Sequence, residues 1–277
     1  MRYSAIPMPE RVVSISLDLE EDHAGLTDSL RYEALAILPE MVGWFEKNKI
    51  PLTIFVAGNF LEKEGRHLET LRSPEFHSHG YWHPPHAKMW NTDVRHRNIR
   101  DGLKAFESFF KRKSSGYRAA CGVLKEEDFP LLAESGVKFD SSFFTGVHVS
   151  GVHLFRSARP RWYASLQFIE IPISAHPFFR VPISMAYRKL MGASLFSFPQ
   201  RLGLGMRPLI FNFHLHDLAE TSTMRNLSGF WRWIYRGQKA PQAMTDWILG
   251  VKDRGVEFVS MNQLHSRLLE NAHELHA

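Results

Sequence analysis

The sequence predicts an α/β protein built on a parallel sheet, closed into a barrel or left as a layered sheet, in one domain. Three observations predict it. Short runs of β-branched and apolar residues alternate with stretches of helical apolar spacing through to the C-terminus. Several of those runs end in acids, histidines or an arginine, and parallel α/β enzymes gather their chemistry at the carboxyl ends of strands. The 277 residues are 44% hydrophobic and 23% charged, enough for a sizeable core in one large domain. No repeat, linker or low-complexity segment interrupts the alternation.

Residues 11–19 alternate apolar with small polar side chains and read as a strand, and Asp18, Glu20, Glu21 and Asp22 crowd its end. Residues 30–48 place Leu35, Leu38, Val42 and Phe45 at helical spacing, with Pro39 marking a kink or a second start. A strand follows at 51–57, broken by Gly58 and Asn59, then a helix at 60–71.

The next stretch is Glu75-Phe76-His77-Ser78-His79-Gly80-Tyr81-Trp82-His83-Pro84. His79 and His83 stand four apart, so two imidazoles can converge on one ion if the backbone turns, and Gly80 allows that turn. An isolated pair of this spacing reads equally well as a His-rich surface loop.

A helix at 93–110 carries Ile99, Leu103, Phe106 and Phe110 on one face. A short strand at 116–121 leads into a helix at 125–135 capped by Gly136, and a strand at 137–142 ends in polar groups. Strands are expected again at 168–173, 208–217 and 256–260. Helices are expected at 183–191, 244–254 and 261–272.

Composition narrows the partners. The net charge is +5, but clusters such as Lys111-Arg112-Lys113 are short and dispersed, so no nucleic-acid partner is expected. A solvated basic surface explains the charge, as would attraction to acidic lipid or to a pyrophosphate-linked substrate. The single cysteine, Cys121, excludes an intrachain disulfide and fits a reducing compartment. The first residues lack the apolar run of a signal peptide and no stretch is long enough to span a bilayer. A cytoplasmic protein is expected, with peripheral contact to the inner membrane as an option.

If the strands form a parallel barrel, Asp18 and Glu20, His79 and His83, Arg118, Asp140, and His214 and His216 gather on one face. One carboxylate and two histidines make a three-ligand zinc site with positions open for water and substrate. A second carboxylate could take a proton from that water, and a further histidine could protonate a leaving amine. These are the parts of metal-assisted amide or ester hydrolysis. Taken singly the residues are less telling. Arg118 alone reads as an ion-pair arginine, Asp140 before two serines as a helix cap, and Cys121 as a buried structural thiol.

Together these motifs resemble the polysaccharide deacetylase family, the NodB homology domain of carbohydrate esterase family 4, over nearly the whole chain. Val13-Ser14-Ile15-Ser16-Leu17-Asp18-Leu19-Glu20 resembles the first motif, and the stretch from Glu75 to Pro84 the second. Tyr117-Arg118-Ala119-Ala120 is similar to the third and Phe139-Asp140-Ser141-Ser142 to the fourth. Phe211-Asn212-Phe213-His214-Leu215-His216-Asp217 resembles the fifth. The resemblance implies an irregular (β/α) barrel, often seven-stranded, over residues 10–268, with an insertion around 145–207. It implies a divalent metal, zinc by preference, on Glu20, His79 and His83. Asp18 would be the base, Arg118 would position it, His214 or His216 would be the acid, and Tyr81 and Asp140 would contact substrate.

Three departures from the family pattern stand out. The second acid of the first motif is a glutamate, and Glu21 and Asp22 are its near rivals. Ala120 stands where proline is usual. The fifth motif offers two histidines, of which His214, with an acid three residues on, resembles the exopolysaccharide-associated variant. His176-Pro177-Phe178-Phe179-Arg180-Val181-Pro182 resembles a segment of those same members. Residues 183–191 and 230–236 combine aromatic or apolar and basic side chains, suited to a sugar, a lipid interface or core packing.

The implied activity is removal of an N-acetyl group from an amino sugar of a polysaccharide or lipid-linked glycan. The alternatives are a deformylase or other amidohydrolase on a lipid-linked amino sugar, and a barrel that binds sugar without turnover.

Overall fold

Seven strands run parallel, side by side, in one curled sheet. The computed structural model describes residues 2–7, 11–21, 33–83, 88, 90–148, 151–152, 158–193, 208–218 and 240–274. Asp22, Pro84 and residues 230–236 lie outside them. In chain order the strands are β1 (Ser4–Ala5), β2 (Val12–Leu19), β3 (Leu52–Val56), β4 (Glu75–Ser78), β5 (Gly116–Tyr117) and β6 (Phe139–Asp140). They continue with β7 (Val147–His148), β8 (Gly151–Val152), β9 (Arg161–Tyr163), β10 (Phe168–Glu170), β11 (Leu209–His214) and β12 (Glu257–Phe258). The main sheet has the order β1-β9-β10-β6-β5-β4-β3-β2-β11, with β12 added on β2. The parallel set from β10 to β11 is the expected seven-stranded (β/α) barrel core.

The barrel is irregular between β10 and β11. There residues 171–184 bridge the gap: Ser174 Oγ accepts from Ile210 N at 2.9 Å, and Asn212 N donates to Ile183 O at 3.2 Å. The antiparallel β9, paired with β1 and β10, is an element the periodicity does not predict, because three residues are too few to show alternation. It lies within the stretch read as an insertion, as does β10, so part of that stretch belongs to the main sheet.

Among the described residues the α-helices are α1 (Leu38–Lys47), α2 (Gly58–Glu64), α3 (Thr92–Phe110), α4 (Phe129–Glu134), α5 (Met185–Met191), α6 (Ala240–Lys252) and α7 (Met261–Glu274). Pro39 sits in the first turn of α1, after a 3-10 turn at Glu33–Ile37, and so marks a helix start rather than a kink. Asn91 caps α3 by accepting from Val94 N at 3.1 Å. Among the described residues, no helix is long and apolar enough to cross a membrane.

Side-chain alternation sorts each strand into two environments. On β2, Val13, Ile15, Leu17 and Leu19 join one apolar cluster with Leu38, Val42 and Phe45 of α1 and Met244 and Ile248 of α6. Ser14, Ser16 and Asp18, the residues between them, are buried on the opposite face, inside the barrel. β11 repeats this, with Phe211 and Phe213 in the helix-packed cluster and Asn212 and His214 on the other face. Phe55, Phe139 and Ile210 pack with Met261, Leu264 and Leu268 of α7 in a second cluster. Glu75 ties down that helix, accepting from Asn262 N at 2.9 Å and Ser260 Oγ at 2.7 Å. His77 belongs to this arrangement, its Nε2 2.7 Å from Glu75 Oε1 and its Nδ1 accepting from Gly116 N.

The loop after β4 is pinned by α3. Asn98 Oδ1 accepts from Tyr81 N and Trp82 N at 2.8 and 2.9 Å, and its Nδ2 donates to Trp82 O at 3.0 Å. Gly80, with φ 72°, takes the left-handed conformation the turn needs, and a Cβ at Gly102 would run into the Gly80 main chain. Gly102→Ala is therefore expected to destabilise the protein by about 1–3 kcal/mol, even though alanine favours an exposed helix by about 1 kcal/mol. Urea unfolding checks this, and unchanged stability would mean the two backbones are not in contact.

Candidate active site

The main-chain ladder continues past the strand ends and carries the site residues to one level. Ala57 N donates to Leu19 O, His79 N to Val56 O, Arg118 N to Ser78 O and Ser141 N to Tyr117 O, all at 2.9–3.1 Å. Asp18 pairs in register with His214, and Ser16 with Asn212. The residues separated along the chain by up to two hundred positions therefore meet.

At the centre is the pair Arg118–Asp18. Arg118 Nη1 donates to Asp18 Oδ1 at 2.7 Å, to Ser16 Oγ at 2.8 Å and to Asn212 Oδ1 at 3.0 Å. Its Nε donates to Ser141 O at 2.8 Å, its Nη2 to Ser141 Oγ at 3.0 Å, and the guanidinium lies 4.1 Å from the Phe55 ring centroid. Asn212 Nδ2 donates to Asp18 Oδ2 at 3.0 Å, so both carboxylate oxygens are held. Burial opposes ionisation of Asp18, but Arg118, His79 and His214 outweigh it and hold the carboxyl below its usual range.

Around this pair stand the expected metal and acid residues. Glu20 Oε2 is 3.4 Å from His79 Nε2, and Glu20 Oε1 is 3.6 Å from His214 Nε2. His214 Nε2 is 3.9 Å from Asp18 Oδ2, and its Nδ1 is 3.3 Å from Asp217 Oδ2. Burial opposes the charged imidazolium of His214, but Asp217, Asp18 and Glu20 raise its pKa to about 9. His216 stacks on it, with centroids 4.8 Å apart. Strand β11 ends at His214, and His216 falls in a 3-10 turn, so the two rings are not simply alternate residues of one strand. Of the rivals to Glu20, Glu21 turns outward to an ion pair with Lys63 at 2.8 Å.

Whether a divalent cation fits can be judged from atoms left unsatisfied. His79 Nδ1 is buried without a hydrogen-bond partner, which is costly for an imidazole unless something else binds there, and Glu20 Oε2 faces His79 Nε2 at 3.4 Å rather than in a short hydrogen bond. Burial resists the charge on Glu20, yet His83, His79 and His214 hold its carboxyl far below the ordinary range. One carboxylate with two imidazoles is a donor set for zinc. His83 Nε2 itself lies 2.9 Å from Cys121 Sγ. Among the described residues, the group of three whose ligand atoms lie within 4.8 Å of one another is His214, His216 and Asp217; Glu20, His79 and His83 are not gathered that closely. Lys189 places a positive charge beside Asp217 in that group, its Nζ donating to Asp217 O at 2.7 Å.

The two residues expected to contact substrate, Asp140 and Tyr81, make other contacts in the structure. Asp140 is 0% exposed, and its oxygens accept from Ser142 N at 2.9 Å and Ser142 Oγ at 2.6 Å. It shapes the loop that presents Ser141 to Arg118. Tyr81 packs over Gly58 and donates its hydroxyl to Glu62 Oε2 at 2.7 Å, in a groove lined by Leu61, Lys104 and Phe109, on the α2–α3 side.

Burial pushes the Asp140 carboxyl up to about 7, against the Ser142 hydrogen bonds. Unfolded, the group titrates near 3.8, so between the two values the folded state binds more protons. Its stabilising contribution is complete below the lower value and lost as pH rises through the upper. Relative to Asp140→Asn, wild-type stability is expected to fall across that window by on the order of a few kcal/mol, read by urea unfolding at stepped pH. Parallel pH profiles would contradict it.

Residues 10–139 match the polysaccharide deacetylase family profile. Over that span, a little under half of the chain, the sequence resembles the polysaccharide deacetylase family. The deacetylase fold extends further, as solved structures show. A Mycobacterium smegmatis protein assigned to the polysaccharide deacetylases aligns over 96% of this chain and 93% of its own, with TM-score 0.62 and 16% identity. The peptidoglycan N-acetylglucosamine deacetylase Bc1960 aligns over 94% and 90%, with TM-score 0.55 and 14% identity. BA3943 from Bacillus anthracis, described as a family pseudoenzyme, aligns over 92% of this chain and 66% of its own, with TM-score 0.53 and 11% identity. At these identities the likeness concerns fold alone. No curated protein sequence gives a significant match.

Ser16, Asn212 and Asp217 bond to the candidate site residues, and Asn98 holds the loop after β4, yet motif reading passes over them or names them without a role. A signal for two of them was present: Ser16 and Asn212 each precede a site residue by two on a strand, hence share its face.

Proposed function

We propose that the chain is a metal-dependent hydrolase removing the N-acetyl group from an amino sugar of a glycan. The observation that carries this reading is the clamped Asp18 carboxylate, with His214 Nε2 3.9 Å from its Oδ2 and Glu20 and His79 alongside. An acid and a base of opposite tasks face a common space, in a chain that resembles the polysaccharide deacetylases.

Asp18 accepts the proton of the attacking water; Arg118 and Asn212 keep it ionised and aimed. His214 Nε2 gives its proton to the leaving amine nitrogen, and Asp217, at Nδ1, fixes the ring and favours its charged form. Glu20, His79 and His83 would hold the cation, which when bound supplies Lewis-acid polarisation of the amide carbonyl and activation of water.

The substrate class is open to lipid-linked glycans, and peripheral membrane contact and a cytoplasmic location remain part of the proposal. A barrel that binds sugar without turnover is the second reading, since a pseudoenzyme shares the fold. Zinc-loaded protein incubated with N-acetylated glucosamine oligomers and with the N-formyl analogues decides between them. Acetate release supports the deacetylase, formate alone the deformylase, and neither acid contradicts the hydrolase.

A further inference from the structure

The loop that carries His79 and His83 also walls a groove between α2 and α3, a cavity of about 480 Å³. That size falls within the range of small-ligand sites. Its two ends are aromatic, and each ring rests on a glycine. A Cβ at Gly58 would meet the Tyr81 ring, and one at Gly65 the Phe109 ring. The glycines stand two helical turns apart, so the rings bracket Leu61 and Glu62 of α2. Tyr81 is fixed by its main chain, its N–H donating to Asn98 Oδ1 at 2.8 Å and its carbonyl accepting from Asn59 N at 2.7 Å. Its hydroxyl donates to Glu62 Oε2 at 2.7 Å. The polar side comes from α3, where Asp101, Lys104 and Ser108 recur at the spacing of one helix face. Among the described residues, neither Asp101 nor Lys104 has an ion-pair or side-chain hydrogen-bond partner. On a chain of net charge +5, this groove sets two carboxylates, Glu62 and Asp101, against one ammonium.

We propose that this groove binds an amino-sugar unit with a free amine, the product that deacetylation leaves along a glycan. The inference rests on the proposed function, which generates that amine. A pyranose ring offers C–H faces to aromatic walls and a rim of hydroxyls to mixed donors and acceptors. Lys104 donates, and the Tyr81 and Ser108 hydroxyls do either. The excess carboxylate selects a charged amine over a neutral N-acetyl group, because the ammonium gives Asp101 the charge-assisted hydrogen bond it lacks. Tyr81 stands between His79 and His83 in the chain, so a bound sugar unit also braces the loop that bears both histidines. The consequence is retention of glycan that is already partly deacetylated.

The test is a titration of the full-length protein at mildly acidic pH, followed through the backbone amide signals of Glu62 and Asp101. The probes are the glucosamine trisaccharide, its fully N-acetylated form and trilysine. The free-amine trisaccharide is expected to bind at least about tenfold more tightly than either of the others. Asp101 is exposed, so its variants are expected to fold. Asp101→Asn should weaken binding by about fivefold and Asp101→Lys by more than about tenfold. Equal binding of the N-acetylated form or of trilysine, or unchanged affinity in both variants, would overturn the inference. Acetate release by the zinc-loaded wild type with no change in the groove signals would overturn it and leave the deacetylase standing. Groove binding without acetate release would overturn the deacetylase and leave a sugar-binding site.

Discussion

Arg118→Met is expected to remove measurable activity and to cost about 3–5 kcal/mol of stability. The reason is what the guanidinium leaves behind. Arg118 is almost wholly buried and donates to Asp18, Ser16, Asn212 and Ser141 through all three of its nitrogens. Methionine fills much of its volume over Phe55 but makes none of those bonds, so a carboxylate stays inside the barrel unpaired. Arg118→Lys keeps the charge but cannot span from Asp18 to the Ser141 carbonyl, because an ammonium is a point donor rather than a fork. It should recover part of the stability and little of the activity. Urea unfolding and acetate release read the two effects separately. Wild-type stability in Arg118→Met would mean that the pair is not the keystone of the site.

His214→Gln is expected to lower the rate of acetate release by about 10²–10⁴-fold, the span of general acid–base catalysis. His216→Gln should change it by less than about tenfold. Geometry separates the two histidines. His214 alone combines contacts to Asp18 and Glu20 through Nε2 with Asp217 at Nδ1. His216 is buried against the His214 ring and supports its plane. Single-turnover assays on folded variants make the comparison, and equal losses, or a larger loss at position 216, would reassign the acid.

Sequence is most legible where one residue announces one role. The strand pattern of β2 and the acids at its end fixed Asp18 and Glu20, because alternation and burial leave few registers in which that stretch can lie. The convergence of His79, Arg118 and His214 followed from parallel topology. What stayed hidden depends on contacts between distant residues. Asn212 looks like a lone polar residue in an apolar strand until β2 lies beside it in register. Asn98 is an ordinary polar position of α3 until the loop after His79 folds back on it. Asp140 closes a strand as the candidate site residues do, yet its oxygens turn back to Ser142.

Zinc stoichiometry is the most direct measurement of the central claim, taken by native mass spectrometry on the wild type, the Glu20→Gln/His79→Ala double variant and Asp217→Asn. One zinc per chain in the wild type and in Asp217→Asn, with none in the double variant, is the result expected. Zinc retained by the double variant and lost from Asp217→Asn would place the cation among His214, His216 and Asp217, and would contradict the site described above.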